Sequence, residues 1–438
     1  VRRERLKSLE LAILDNQDAL ARALDEDFSG RSRMEILFSE ILVALNSIRH
    51  AHRHVARWMA RRPRGIGWQL QPARAYVLPQ PLGIIGIIAP WNYPIFLTTA
   101  PLAAALAAGN RAMIKPSEHA PRTAALLADI LHRAFPRDLV AVVNGDAAAS
   151  RAFASLSFDH LLFTGSASVA REVMRAASEN LTPVTLELGG KSPAIVAPDA
   201  SLLRAAEDIA YGKLLNAGQT CIAPDYALVP AAHLRAFVHA MRIAVERYYP
   251  AAAANPDYTA IINQRHYDRL RAGLDEARAT GTEVVEIGPA SSAGRKIAPA
   301  LIIDPPDEIT VMREEIFGPL LPVKSYRDID DVIAYVNGRP RPLALYLFAQ
   351  DQRLIDRVLE RTVSGGVCVN DTLLHVAAED LPFGGVGPSG IGHYHGQAGF
   401  DAFSKLKPVF RRRWPGLSRL LRPPYGRVHE WLRRVLIR

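Results

Sequence analysis

Cys221 closes the run Gly218-Gln219-Thr220-Cys221, and Glu187, 34 positions upstream, stands between two leucines just ahead of Gly189-Gly190-Lys191. A thiol and a carboxyl set in glycine-bearing loops suit covalent acyl chemistry. The sulfur attacks an electrophilic carbon, and a carboxyl of raised pKa activates the water that later releases the acyl group. Neither residue type is informative alone, because most free cysteines are small core side chains and most glutamates form salt bridges. The second cysteine, Cys368, lies in the apolar run Gly366-Val367-Cys368-Val369 and reads as such a core residue.

The elements that must hold these two residues can be read from the hydrophobic rhythm. Leu6, Leu9, Ile13, Leu20 and Leu24, then Met34, Ile36, Leu37, Ile41 and Leu42, keep helical spacing, with a break at Phe28-Ser29-Gly30. From Pro81 the pattern alternates: strands over 82–89, 112–115, 140–144, 161–164 and 184–188, and helices over 94–108, 121–135 and 168–178. A second alternation has strands at 194–196, 227–229, 284–287, 321–326, 343–348 and 366–369, with helices such as 203–215 and 328–337 between them. Strands with apolar cores that alternate with helices predict an α/β fold of mostly parallel sheets covered on both faces, with a domain boundary near Leu188.

Composition narrows the class. A chain of 438 residues with 49% hydrophobic content is long enough for two or three domains with substantial cores. Two cysteines make no disulfide framework and point to a reducing, cytoplasmic setting. The charged start, Val1-Arg2-Arg3-Glu4-Arg5, has no apolar signal segment, and without an initiating Met it suggests missing or processed residues. Residues 75–110 carry no charge over 36 positions, but prolines at 79, 81, 90, 94 and 101 cut them into a strand and a helix for a soluble core rather than a membrane span.

The net charge of +9 is concentrated at one end: nine arginines stand from Arg411 onward against the single acid Glu430. The remainder is near neutral, which argues against a nucleic-acid partner. Trp414, Leu417, Leu420 and Leu421, then Trp431, Leu432, Val435, Leu436 and Ile437, interleave with those arginines as in a basic amphipathic helix. Packing on the body or on a second subunit is favoured over contact with a membrane surface.

Seven motifs in register then carry a resemblance. Pro90-Trp91-Asn92-Tyr93-Pro94, Ile114-Lys115-Pro116-Ser117-Glu118, Phe163-Thr164-Gly165-Ser166, Leu186 to Pro193, Gly218 to Cys221, Glu314 to Pro319 and Pro382-Phe383-Gly384-Gly385 stand in the order of the aldehyde dehydrogenase superfamily. The resemblance runs from about Arg5 to Phe410. Asn216 to Tyr226, Asn370 to His375 and Gly392 to Gly396 are most similar to the coniferyl aldehyde dehydrogenase branch of its class-three-like group.

The resemblance implies a Rossmann-like parallel-sheet NAD(P)-binding domain (1–66 and 79–188) and a second α/β catalytic domain (189–396). It also implies a small bridging, oligomerisation element (67–78 and 397–412), with a basic tail at 413–438 and a homodimer as the assembly. By resemblance Cys221 is the nucleophile, Glu187 the base that activates water, and the Asn92 amide with the Cys221 N–H the oxyanion hole. The expected reaction oxidises a small-molecule aldehyde, with a hydroxycinnamyl aldehyde favoured over a medium-chain aliphatic one. A thiol-acylating dehydrogenase would not need Glu187, and a non-catalytic binding protein would not need the three residues together.

The cofactor expected by resemblance is NAD, with NADP possible. The glycine-rich fingerprint of dinucleotide-binding folds is absent; Gly165 and Ser166, between a strand and a helix, instead offer free N–H groups to a pyrophosphate. Ala170 stands where the family often has glycine. By resemblance Lys115 and Glu118 hold the adenosine ribose, Glu118 disfavouring a 2′-phosphate. Glu315 and Phe317 flank the nicotinamide, Trp91 walls the same cleft, and Tyr93 and His375 line the aldehyde channel. His393-Tyr394-His395 has no third ligand at suitable spacing, so no metal is expected and the segment reads as a loop near the site. Gly384 to Gly392 reads as turn geometry.

Overall fold

Sixteen strands occur among residues 1–289, 294–412 and 421–437, which the computed structural model describes. In chain order they are β1 (Arg62–Arg64), β2 (Ala73–Pro81), β3 (Ile84–Ile88), β4 (Arg111–Lys115), β5 (Val140–Val142), β6 (His160–Thr164), β7 (Val184–Glu187) and β8 (Pro193–Val196). There follow β9 (Tyr226–Pro230), β10 (Glu283–Glu286), β11 (Ala300–Ile303), β12 (Leu320–Tyr326), β13 (Ala344–Phe348), β14 (Gly366–Val369), β15 (Gly390–Ile391) and β16 (Ser404–Arg412). They form three sheets.

The first sheet has the order β15-β7-β6-β3-β4-β5 and is parallel except for β15. Its central strand, Ile84-Ile85-Gly86-Ile87-Ile88, is apolar almost throughout, as a strand covered on both faces must be. Chain order reverses on either side of β3, so a crevice opens beyond the carboxyl ends of β3 and β6, the place where open α/β sheets bind ligands. The uncharged stretch is consumed here: it supplies most of β2, all of β3 and the helix Phe96–Ala108, every residue of which is buried. No helix among the described residues is long and apolar enough to cross a membrane.

The second sheet runs β10-β11-β12-β9-β8-β13-β14, with only β10 antiparallel. In the third, β2 lies between β1 and β16, and β16 pairs with all of β2, from Ser404 opposite Pro81 to Arg412 opposite Ala73. The expected arm ending at residue 78 therefore runs three residues further. Segment 390–391, expected with the second domain, instead adds β15 to the edge of the first sheet, with Gly390 opposite Glu187.

Three helices precede β1: Arg2–Leu14, Gln17–Phe28, and Arg33 to Trp58 with one wider π-type turn at Leu37–Ile41. At the other end, the helix Arg427–Leu436 has no buried residue, and its Trp431 is 62% exposed. Packing of this helix on the body, one half of the favoured expectation, is not seen among the described residues; packing on a second subunit is the other half. Periodicity reveals an apolar stripe but not whether anything covers it. Trp414, Leu417 and Leu420 lie outside the described residues.

Candidate active site

The thiol loop is built on strained backbone. Asn216, Ala217 and Gly218 take positive φ values of 54°, 50° and 76°, a run that only strong local bonding sustains for the first two. The fully buried Gln219 supplies that bonding: its Nε2 donates to the carbonyls of Asn216 and Ala260 at 3.0 Å, and its Oε1 accepts from the Ile262 N–H at 2.9 Å. A Cβ on Gly218 would collide with the Gly318 carbonyl, so the loop lies directly on the turn that carries Glu315 and Phe317. Cys221, next along, is half-buried. Desolvation, followed by the nearby carboxyls of Glu315 and Glu187, pushes its thiol up to about 12, against the pull of the Cys221 and Ile222 N–H groups.

Trp91-Asn92-Tyr93 meets this loop residue by residue from the carboxyl side of β3. The Asn92 side chain is buried and donates through Nδ2 to the Gln219 carbonyl at 3.1 Å, which leaves its second amide proton without an acceptor among the described residues. Tyr93 shares a 2.7 Å hydrogen bond with the Thr220 hydroxyl. The Trp91 ring stands edge-on to Phe317, with centroids 5.4 Å apart. Phe317 also has positive φ, 49°.

Glu187 ends β7, is 2% exposed, and neither carboxyl oxygen has a hydrogen-bond partner among the described residues. Burial alone holds its pKa well above the ordinary carboxylate value. Its main-chain carbonyl accepts from the Gly165 N–H at 3.0 Å, tying this residue to the turn at Gly165-Ser166.

That turn leads into the helix Ala167–Ser178, where the Ser166 hydroxyl accepts from the Val169 N–H at 3.4 Å. Ala170 is buried in the helix. Lys115 closes β4 almost completely buried; its Nζ donates to the Pro116 carbonyl at 2.7 Å and lies 3.6 Å from the more exposed Glu118. The pair is therefore no solvated surface bridge. A helix N-terminus, a close-approach glycine, and a lysine and a glutamate around the crevice beside β3 fit a dinucleotide.

Glu315 is half-buried, and a Cβ on Gly189 would strike its carboxylate; desolvation and then Asp225 raise its pKa to about 8. Asp225 binds this neighbourhood together, accepting from the Ile316 N–H at 2.9 Å and pairing with Lys191, which also donates to the Val311 carbonyl at 2.8 Å.

His375 is one shell further out. Its ring lies 6.1 Å from that of Tyr346, whose hydroxyl donates to the Ile222 carbonyl, and its Nδ1 is 3.4 Å from the sulfur of Cys368. Phe383 is stacked against His395 at 4.9 Å and also contacts His375 and Tyr394. Of the segment read as a loop near the site, His393 is exposed, whereas Tyr394 and His395 are buried. Tyr394 lies within electrostatic reach of both Glu187 and Cys221.

Sequence reasoning missed Arg31, Glu35, Glu40 and Lys213. Arg31 lies between the second and third N-terminal helices and Glu35 and Glu40 lie in the third, yet they bond directly to the Asn92 and Asn216 backbones or to the start of the helix Phe96–Ala108. Lys213 is buried with no hydrogen-bond partner for its ammonium among the described residues, and desolvation lowers its pKa to about 8. A charge inside a helical run that otherwise reads as amphipathic gives no sign that it is buried.

Comparison with known proteins agrees with this geometry. The model of the aldehyde dehydrogenase family matches residues 1–409. A probable coniferyl aldehyde dehydrogenase of Pseudomonas aeruginosa is 54% identical over 422 residues, covering 96% of this chain and 88% of its own length. The coniferyl aldehyde dehydrogenase of Pseudomonas sp. strain HR199 is 49% identical, covering 99% and 92%. Among solved structures, the substrate-bound state of Staphylococcus aureus AldH superposes with a TM-score of 0.94 at 38% identity, covering 99% of this chain and 94% of that one. An NAD+ complex of an aldehyde dehydrogenase from Bacillus cereus gives 0.86 at 27%, covering 94% and 84%. The chain with its thiol, amide and buried carboxyl at one crevice belongs to the aldehyde dehydrogenase family.

Proposed function

We propose that this aldehyde dehydrogenase oxidises a hydroxycinnamyl aldehyde, with coniferyl aldehyde the favoured substrate, to the carboxylic acid on Cys221. The observation that carries the site assignment is the convergence of Asn92, Cys221 and Glu187 from three separate elements. The substrate class rests on the two relatives named for coniferyl aldehyde.

Attack by the Cys221 sulfur on the aldehyde carbon places negative charge on the carbonyl oxygen. The second Nδ2 proton of Asn92 and the Cys221 N–H are the fixed donors for that charge, and they need no reorganisation. A bound nicotinamide dinucleotide supplies the hydride acceptor. Gly165, Ser166, Lys115 and Glu118 would hold its pyrophosphate and adenosine ribose, and Glu315, Phe317 and Trp91 would surround its nicotinamide end. Once the thioester has formed, Glu187 as carboxylate takes a proton from water, which attacks the acyl carbon and frees the sulfur. Tyr93, fixed to Thr220, and His375, behind Tyr346, shape the aldehyde side. Glu118 would set a negative charge beside the adenosine ribose, which favours NAD over NADP.

The first and second sheets serve as the cofactor and catalytic domains, and the third as the bridging element. A homodimer is supported by the outer edge of β16, unpaired among the described residues, and by its Phe410, 51% exposed. Two free cysteines support a reducing, cytoplasmic setting.

The test is a set of aldehydes assayed with each cofactor. Coniferyl aldehyde should exceed decanal in kcat/KM by at least about tenfold, the worth of a few well-placed contacts. A reversed ratio would transfer the assignment to aliphatic aldehydes.

A further inference from the structure

Arg31 is fully buried, and its guanidinium is used almost completely. Nε donates to Glu35 at 3.0 Å, Nη1 to Glu40 at 3.3 Å and to the main-chain carbonyl of Asn92 at 2.9 Å, and Nη2 to Ser39 at 3.4 Å. The plane lies between two aromatic rings, with Cζ 4.9 Å from the Tyr93 centroid and 5.0 Å from that of Phe28. The two carboxylates bonded to Arg31 reach the site as well. Glu35 Oε2 accepts from the Asn216 N–H at 3.0 Å. Glu40, carried by the π-type turn, accepts from the N–H groups of Ile95 and Phe96 at 3.0 and 2.9 Å. Asn216 closes the circuit, donating through Nδ2 to the Asn92 carbonyl at 3.0 Å.

The loop 92–96 is therefore held at both ends by one ion cluster, which also holds the first left-handed residue of the thiol loop. Stability does not explain such a cluster, because buried ion pairs only roughly match apolar packing of the same volume. What a rigid, multiply bonded fork supplies is position. The Asn92 carbonyl that Arg31 grips belongs to the residue whose side chain offers the oxyanion donor, so a shift of the fork turns that amide.

We infer that Arg31 is a positioning residue: acting through the Asn92 main chain, it aims the Asn92 amide at the oxyanion of the Cys221 adduct. This rests on the proposed roles of Asn92 and Cys221. It assigns Arg31 no contact with substrate or cofactor.

A double-mutant cycle tests it, with the rate of the first-turnover burst of reduced cofactor as readout. Arg31→Met should slow the burst by up to about 100-fold, the scale of a misplacement of about 1 Å. Cofactor affinity and the titre of reactive thiol should stay at wild-type values, which a loosened fold would not allow. Arg31→Lys, keeping the charge but losing the fork, should fall between wild type and Met. In an Asn92→Ala background, Arg31→Met should add almost nothing, since the group it aims is gone. Should Arg31→Met fail to fold, Arg31→Lys carries the same cycle. Additive losses, or an unchanged burst in the Arg31 variants, would overturn the inference while leaving the Asn92 role intact. A normal burst from Asn92→Ala alone would remove the oxyanion assignment and the inference with it.

Discussion

Glu187 is chemically the most exacting residue here, because burial favours its protonated form whereas a base must act as carboxylate. Glu187→Gln keeps the shape and removes the basic oxygen, so the enzyme should still form thioester and reduced cofactor once per site and then stall. Steady-state turnover should fall by about 100-fold or more, as expected on losing a general base, behind an intact burst. A first turnover slowed to the same extent would place Glu187 at thiol activation instead. The same substitution reports on stability. The folded pKa lies above the unfolded one, so the folded state binds the proton more tightly; this contribution is full below about pH 4.5 and is lost as pH rises towards the folded pKa. Glu187→Gln should therefore gain stability relative to wild type with increasing pH, by up to about 1.4 kcal/mol for each pH unit across that window. Urea unfolding of both proteins at pH 4.5 and pH 8 checks this, and a difference independent of pH would mean that the carboxyl is not held protonated. Cys221 and Glu187 stand out in the sequence beside glycine-bearing turns, and Asn92 through the order of motifs that carries the family resemblance. Arg31 and Glu40 do not, since nothing local separates a buried charge from a solvated one.

At the scale of elements, strand and helix positions followed the apolar rhythm to within a few residues wherever strands were long or flanked by turn residues. The misses have physical causes. β11 is a continuous apolar run, Ala300-Leu301-Ile302-Ile303, which periodicity alone does not distinguish from a buried turn of helix. β15 has two residues, and exists because Gly390 can approach β7 where a Cβ would strike the Leu186 carbonyl. What the elements present to one another matters most at the thiol loop, where Gly218 has φ +76° and faces the Gly318 carbonyl. Gly218→Ala adds about 1–2 kcal/mol of left-handed strain and a steric collision, and the loop can relieve both only by moving Cys221 away from Asn92. The expected result is a loss of kcat of about tenfold or more, with secondary structure unchanged by circular dichroism. Wild-type kcat would mean that the loop has slack that the close contact does not suggest.

At the scale of the whole molecule the charge is lopsided, and the lopsidedness is separable from the fold. Residues 413–438 hold seven arginines and one glutamate, so they carry six of the nine net positive charges. Among the described residues of this segment, the helix Arg427–Leu436 buries nothing, and its Val428, Trp431 and Val435 are all exposed. The third sheet is already complete at Arg412, where β16 ends opposite Ala73. A chain cut after Arg412 thus loses no described strand pairing and no described buried side chain. It should melt within about 2 °C of the full chain, a shift smaller than that from removing one ordinary core contact in a protein of this size. It should also oxidise aldehydes with unchanged kcat/KM. What it should lose is adhesion: the full chain should bind vesicles rich in anionic lipid at low salt and release them as ionic strength rises, and the shortened chain should bind weakly throughout. A clear drop in melting temperature, or a dimer that dissociates on truncation, would show instead that the exposed apolar stripe is covered by a second copy of the chain.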